Sequence, residues 1–328
     1  MPAQTGLFRA PDAVDNRYLD RLRDVSFQPV FILGLHRSGT SILYKMLEST
    51  GRFNSVTAYH IAFYNQLLRN HIEGREEAAK REFNKVLRQK NHRDRGIDRL
   101  KMSADLPLEY AFLLGKNYLF NQLNERNFAV FEEMCKKIQF IEGRSKRLLL
   151  KNPWDFSNFL FIKQKLPSAK FVFIHRRPLH VISSSLRALR VLVNQRTVYS
   201  EMVSPLAREA VNNPALSALG KLLLSPPVPP GLFLVVEQRA RDACYFLRNL
   251  RHLSSQDYVN VRYEDLCSAT ERTMDKILNF LAIEENPEQF NAFINPRGLS
   301  LCPEVKRFQG YIQRRFREYR TRFAYWDS

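Results

Sequence analysis

The sequence predicts an α/β fold in which helices cover both faces of a parallel sheet. Short apolar runs at 29–33, 148–150, 171–174 and 258–261 are long enough for strands buried on both sides. Stretches with helical spacing separate them. The first run also passes through a glycine-containing loop straight into an amphipathic segment, the strand, loop and helix order that exposes backbone amides to an anion. Composition agrees with this class: 45% hydrophobic and 26% charged residues in a chain of 328 give a globular protein with a large core, and exclude a collagen-like, low-complexity or wholly disordered chain.

Residues 1–20 mix Arg9, Asp12, Asp15 and Arg17 with short apolar pieces and contain no apolar stretch of a secretory signal. No run approaches the roughly 20 apolar residues that span a bilayer. Cys135, Cys244, Cys267 and Cys302 lie far apart without a Cys-x-x-Cys pair, which speaks against a zinc site or a disulfide frame and for reduced thiols in the cytoplasm. Lys and Arg number 51 against 33 Asp and Glu, a net charge of +18 that implies an anionic partner without naming one.

The first strand, 29–33, leads into Gly34-Leu35-His36-Arg37-Ser38-Gly39-Thr40-Ser41, after which Ile42, Leu43, Met46 and Leu47 keep helical spacing. Gly34-x4-Gly39 is the spacing of a nucleotide triphosphate loop, but Thr40 stands where such loops place Lys. Arg37 supplies a cation within the loop, and Thr40 and Ser41 supply hydroxyl donors. The strands ending at Lys151 and His175 bring no terminal Asp for Mg²⁺, so a metal-free anion site is expected. A long helical insertion, about 61–147, precedes the second strand and is expected to cap the strand ends. The proline-rich patch 204–231 reads as a loop over the same mouth. The third strand runs into His175-Arg176-Arg177-Pro178, with Pro178 suited to a first helical position and Ser184 about 9 Å further along that helix. Arg176 and Ser184 together could clamp a second phosphate, so a nucleotide phosphorylated at two places is the natural ligand.

These motifs resemble those of the sulfotransferase family, whose members use 3′-phosphoadenosine 5′-phosphosulfate (PAPS). The match lies in Arg37-Ser38-Gly39-Thr40-Ser41, in Arg176, Pro178 and Ser184, and in Val261-Arg262-Tyr263-Glu264-Asp265-Leu266 followed by a helix ending near Leu281. It covers about 30–283. The resemblance implies a P-loop-like three-layer fold and one domain over 1–328, with a core at about 27–285, the helical insertion, and a basic C-terminal extension at about 296–328. It implies sulfuryl transfer from PAPS to a hydroxyl or amine of a small-molecule, carbohydrate or lipid acceptor, with no metal required. Arg37, Ser38, Gly39, Thr40 and Ser41 would hold the 5′-phosphosulfate, Arg176 and Ser184 the 3′-phosphate, and Tyr263 would lie beside the adenine.

In many cytosolic members the base is a His two residues after the Lys that ends the second strand. Here that stretch reads Lys151-Asn152-Pro153. Other branches take a carboxylate from the segment after the loop helix, here Thr57-Ala58-Tyr59-His60, so His60 is the expected base and His60→Ala is expected to abolish turnover. Lys151 would steady the moving sulfonate. His36 and His175 are alternatives for the base, and Glu48 is expected on a solvated helix face. The adenine-stacking Trp of many members is replaced by Ile42, and a basic, aromatic run at 313–320 stands in place of their Gly-rich C-terminal clamp. Two other classes compete: a small-molecule or nucleotide kinase, which needs Mg²⁺ ligands and a loop Lys, and a nucleic-acid-binding protein using that C-terminal run, which is less expected.

Overall fold

The computed structural model describes residues 14–89, 101–117, 121–194, 213–225, 229–294 and 300–326. Its sheet has five strands, β1 (Pro29–Leu33), β2 (Phe53–Ser55), β3 (Arg147–Lys151), β4 (Lys170–His175) and β5 (Tyr258–Arg262), in the order β2-β3-β1-β4-β5. Every pairing is parallel, with Phe31 opposite Leu150 on one side and Phe171 on the other.

Alternation along the strands divides the core in two. Phe31, Leu33, Leu148, Leu150, Phe171 and Phe173 point to one face, and Val30, Ile32, Leu149, Val172, Ile174, Val259 and Val261 to the other. The second face is covered by helix α1 (Thr40–Glu48), through Leu43, Tyr44, Met46 and Leu47, and by α12 (Thr270–Leu281), through Met274, Ile277, Leu278 and Leu281. The first is covered by α6 (Phe128–Glu142), α7 (Phe159–Lys165), α8 (Pro178–Asn194) and α10 (Pro230–Asn249). This is the three-layer P-loop-like arrangement expected, with a phosphate-type loop on the central strand.

The four apolar runs all became strands. β2 was not foreseen, because Asn54 and Ser55 break the apolar pattern. It sits at the sheet edge, where the Asn54 side-chain Nδ2 donates to the Gly143 carbonyl at 2.8 Å. The insertion between β2 and β3 contains α2 (Ala58–Ala62), α3 (Leu67–Ile72), α4 (Glu76–Gln89), α5 (Ala111–Asn117) and α6. Within it the chain returns beside Val56–Tyr59: the amides of Ala58 and Tyr59 donate to the carbonyls of Leu106 and Ala104, and the Leu108 amide donates to Val56. That return carries Glu109 to the strand ends.

The reading of 204–231 as a loop needs correction. Residues 204–212 and 226–228 lie outside the described residues, but α9 (Pro214–Leu224) and the start of α10 are helical. Pro214 and Pro230 occupy first-turn positions, where proline loses no intrahelical bond, and the Asn213 side chain accepts from the amides of Ala215 and Leu216 at 2.9 and 3.2 Å. These prolines start helices. α11 (Tyr263–Ser268) follows β5, and the basic run at 313–320 falls in α14 (Gln309–Arg315) and α15 (Arg317–Arg322), which come after α13 (Pro303–Arg307). Phe316 and Tyr319 of the run are buried in the first core face, as is Ile312 just before it, while Arg314, Arg315 and Arg317 are exposed. Among the described residues no helix is long and apolar enough to cross a membrane.

Candidate functional site

The loop after β1 is held by close approach. A Cβ on Gly34 would stand 2.4 Å from the Ile174 carbonyl oxygen of β4, so only glycine lets the strands pass there. Arg37 has φ 72 and Gly39 φ 105, and the Ser38 amide donates to the Leu35 carbonyl at 3.0 Å. α1 then opens with Thr40 and Ser41, its first amides and dipole facing the loop.

The two anion motifs meet directly. Arg37 Nε donates to Ser184 Oγ at 3.2 Å, and Arg176 Nη1 donates to the Arg37 carbonyl at 2.8 Å. Arg176 and Ser184 are expected to clamp a phosphate between them, an arrangement in which they need not touch each other. The left-handed backbone at Arg37 sends its side chain across to α8, and Arg176 turns back under the loop. Its guanidinium lies 4.2 Å from the centre of the Tyr263 ring. That ring packs on Gly39, where an added Cβ would come within 2.3 Å of Tyr263 Cδ2. Burial lowers the Arg176 pKa, opposed by Tyr263 and Glu264. Burial, with the Cys267 hydrogen bond, raises that of the Tyr263 phenol. Ser38 Oγ and Arg176 Nε are buried without a hydrogen-bond partner among the described residues. Buried donors left open at one loop are what an incoming phosphate would satisfy.

Lys151 ends β3 opposite Ile32 of β1, only 1% exposed. Its ammonium donates to Ser41 Oγ at 3.0 Å and pairs with Glu109 Oε1 at 2.9 Å. A cation, a hydroxyl and a carboxylate thus line up beside the loop.

The sulfotransferase family profile matches residues 29–218, more than half the chain. The chain belongs to the sulfotransferase family. It is an enzyme that moves a sulfuryl group from PAPS. Its fold is similar to that of sulfotransferase STF9 from Mycobacterium avium (TM-score 0.65, 14% identity, covering 94% of this chain and 81% of that one). It is similar also to sulfotransferase STF1 from Mycobacterium tuberculosis (TM-score 0.59, 15% identity, 93% and 80%). No curated protein matched by sequence.

The other residues singled out in this sulfotransferase have different surroundings. His60 lies in α2, 1% exposed, with Nδ1 accepting from the Thr57 amide at 3.2 Å in a capping box and Nε2 3.4 Å from Glu142 of α6. Both ring nitrogens face the insertion's own packing. Among the described residues no hydrogen bond or ion pair joins His60 to the loop. His175 accepts from the Tyr319 hydroxyl at 2.8 Å, contacts Asn260 Oδ1 through Nε2 at 2.9 Å, and stacks on Phe323 at 3.7 Å. Burial holds its pKa at about 3, a neutral core histidine. His36 is edge-on to Trp154 at 4.5 Å, and burial with the charges of Arg239 and Arg37 pushes its pKa well down. Glu48 ends α1, about 12 Å along the helix from Thr40, and its pKa is raised by burial. Glu109 was missed. The signal for it was a lone carboxylate inside the apolar run 106–114, a pattern that demands a buried partner.

Glu264 ties the third motif together. Its carboxylate accepts from the Arg177 amide at 2.9 Å and from the Tyr325 hydroxyl at 3.1 Å. Arg262 lies 4.8 Å from the Tyr325 ring centre. The C-terminal segment therefore braces the turn that presents Tyr263.

Proposed function

We propose that this sulfotransferase holds PAPS across the junction of Arg37, Arg176 and Ser184 and uses Glu109 as the base that frees an acceptor hydroxyl or amine. The observation that carries this reading is the chain from Glu109 through Lys151 to Ser41, 2.9 and 3.0 Å long, which links a buried carboxylate to the phosphate loop.

The loop amides, Ser38, Gly39, Thr40 and Ser41 would hold the 5′-phosphosulfate, with Arg37 meeting the charge that builds on the leaving phosphate. Arg176 and Ser184 would hold the 3′-phosphate, and Tyr263 would support the adenine from its place on Gly39. Glu109 takes the acceptor proton as the acceptor's bond to sulfur forms and the bond from sulfur to the 5′-phosphate oxygen breaks. Lys151, poised between carboxylate and loop, steadies the sulfonate in transit. The donor set is hydroxyls, amides and cations, which suits an anion without a metal bridge. The acceptor is proposed to be a small molecule, carbohydrate or lipid, and the four free thiols suit the reducing cytoplasm.

Two measurements test this. PAP and PAPS should raise the melting temperature more than AMP or ATP with Mg²⁺ do, by the equivalent of about 2.7 kcal/mol at a hundredfold excess over Kd. A larger shift with ATP and Mg²⁺ would favour the kinase reading. Release of PAP from PAPS with sugars, alkyl alcohols and phenols as acceptors should fall about 10²-fold to 10⁴-fold in Glu109→Gln with PAP affinity kept. It should survive in His60→Ala, and the reverse pattern would return the role to His60.

A further inference from the structure

Four of the six large apolar side chains exposed among the described residues lie in one stretch, with Ile72 and Trp326 standing apart. Leu216, Leu219 and Leu222 of α9 and Leu234 of α10 are 45, 51, 69 and 65% exposed. The three on α9 are spaced three apart and form one stripe. The helix turns its other side inward, where Gly220 meets Val193 of α8 and Leu224 is buried. α9 and α10 touch at Gly231, where a Cβ would stand 2.9 Å from the Leu223 carbonyl oxygen, and Leu234 is the next turn along.

The outer side of α10 continues from that apolar end into charge. Leu234, Gln238, Arg241 and Arg248 are exposed at spacings of four, three and seven, a single stripe about 21 Å long. Beside its far half, a cleft of about 490 Å³ between α10 and the C-terminal helices is lined by Arg241, Arg248, Arg314, Arg315 and Arg317 against Glu318. Arg315 is engaged by both carboxylate oxygens of Glu237. Arg241, Arg248, Arg314 and Arg317 remain exposed on a chain of net charge +18.

We propose that this face docks the enzyme on an anionic lipid bilayer, the leucines entering the boundary between headgroups and acyl chains while the arginines meet lipid phosphates. Two features favour a bilayer over an acidic protein or a nucleic acid. The leucines are 45 to 69% exposed, and a fluid acyl layer accepts such side chains without a matching pocket. The aromatics at the basic cleft, Phe316 and Tyr319, are 1% exposed and offer no stacking platform for unpaired bases. Docking does not depend on the residue roles proposed above.

Flotation with vesicles tests it, using phosphatidylcholine alone and phosphatidylcholine mixed with phosphatidylglycerol. The full chain should float with the mixed vesicles and much less with the neutral ones. Leu219→Glu/Leu222→Glu and Arg241→Glu/Arg248→Glu should each weaken partitioning roughly tenfold or more. The PAP-induced melting shift should be unchanged in both variants, which separates loss of docking from loss of fold or of nucleotide binding. Absence of flotation, or flotation that neither variant weakens, overturns the proposal. So does weakening by the arginine variant alone, which would mark a plain basic surface. A dimer that becomes a monomer in Leu219→Glu/Leu222→Glu would assign the leucines to a second copy and overturn it as well.

Discussion

Acid should destabilise this protein through His175. The ring is fully buried at the end of β4, and its pKa is held at about 3, against 6.5 for an unperturbed histidine. The causes are burial first, which lowers it, then the Asn260 hydrogen bond, which opposes burial, and last the charge of Arg322, which lowers it further. Between those two values the unfolded chain binds a proton that the folded chain refuses. The associated stability is therefore complete above pH 6.5 and is lost as pH falls towards 3. The full window corresponds to roughly 5 kcal/mol, and the step from pH 7 to pH 5 alone to about 2 kcal/mol. Chemical denaturation of the wild type and His175→Gln at pH 7, 6 and 5 measures it, because other titrating groups respond alike in both proteins and cancel in the difference. The wild type should lose about 2 kcal/mol more than the variant over that range. Parallel profiles would refute a neutral buried imidazole and with it the account of how Tyr319 and Phe323 are seated.

Gly39→Ala should both strain the loop and displace Tyr263, since φ is 105 and the new methyl would stand 2.3 Å from the ring. A loss of about 1–3 kcal/mol in thermal unfolding and PAP binding weakened at least about tenfold are expected. Unchanged affinity would remove Tyr263 from the nucleotide. Arg37→Ala and Ser184→Ala should each weaken PAP binding in calorimetry by roughly tenfold to a hundredfold, as charge-assisted bonds do. Because these side chains touch at 3.2 Å, the double variant should fall short of the product of the single losses, and strict additivity would argue that the contact does not couple the two phosphate sites.

The central strands were legible because runs such as Phe171–Ile174 are apolar on both faces, and the loop because its glycines and hydroxyls must stand in order. The edge strand was not, since three residues with two polar side chains carry no periodicity. The prolines at 214 and 230 were misread because the same residue that ends a helix also begins one, and only Pro214 is preceded by a side-chain cap, Asn213, that marks the start. Within the site, residue types were readable but partners were not: nothing in the spacing says that Arg37 rather than Arg176 reaches Ser184. Glu109 escaped for a similar reason. It enters the site from an insertion, through a return of the chain beside Val56 that is recorded in backbone bonds, not in a motif. Nor does the spacing say that a histidine three residues after a threonine completes a cap, as His60 does.

The strand at the middle of the sheet has a further consequence for how the protein is made. β1 pairs only with β3 and β4, so its nearest partner, beginning at residue 147, is more than a hundred positions downstream. At ordinary synthesis speeds a ribosome needs roughly 6–20 s to cover that distance. For that interval Val30, Phe31 and Ile32 leave the exit tunnel with bare edges. Slower translation, cooler growth or a holding chaperone should therefore govern soluble yield more than any change confined to the arginines and hydroxyls beside the loop after β1.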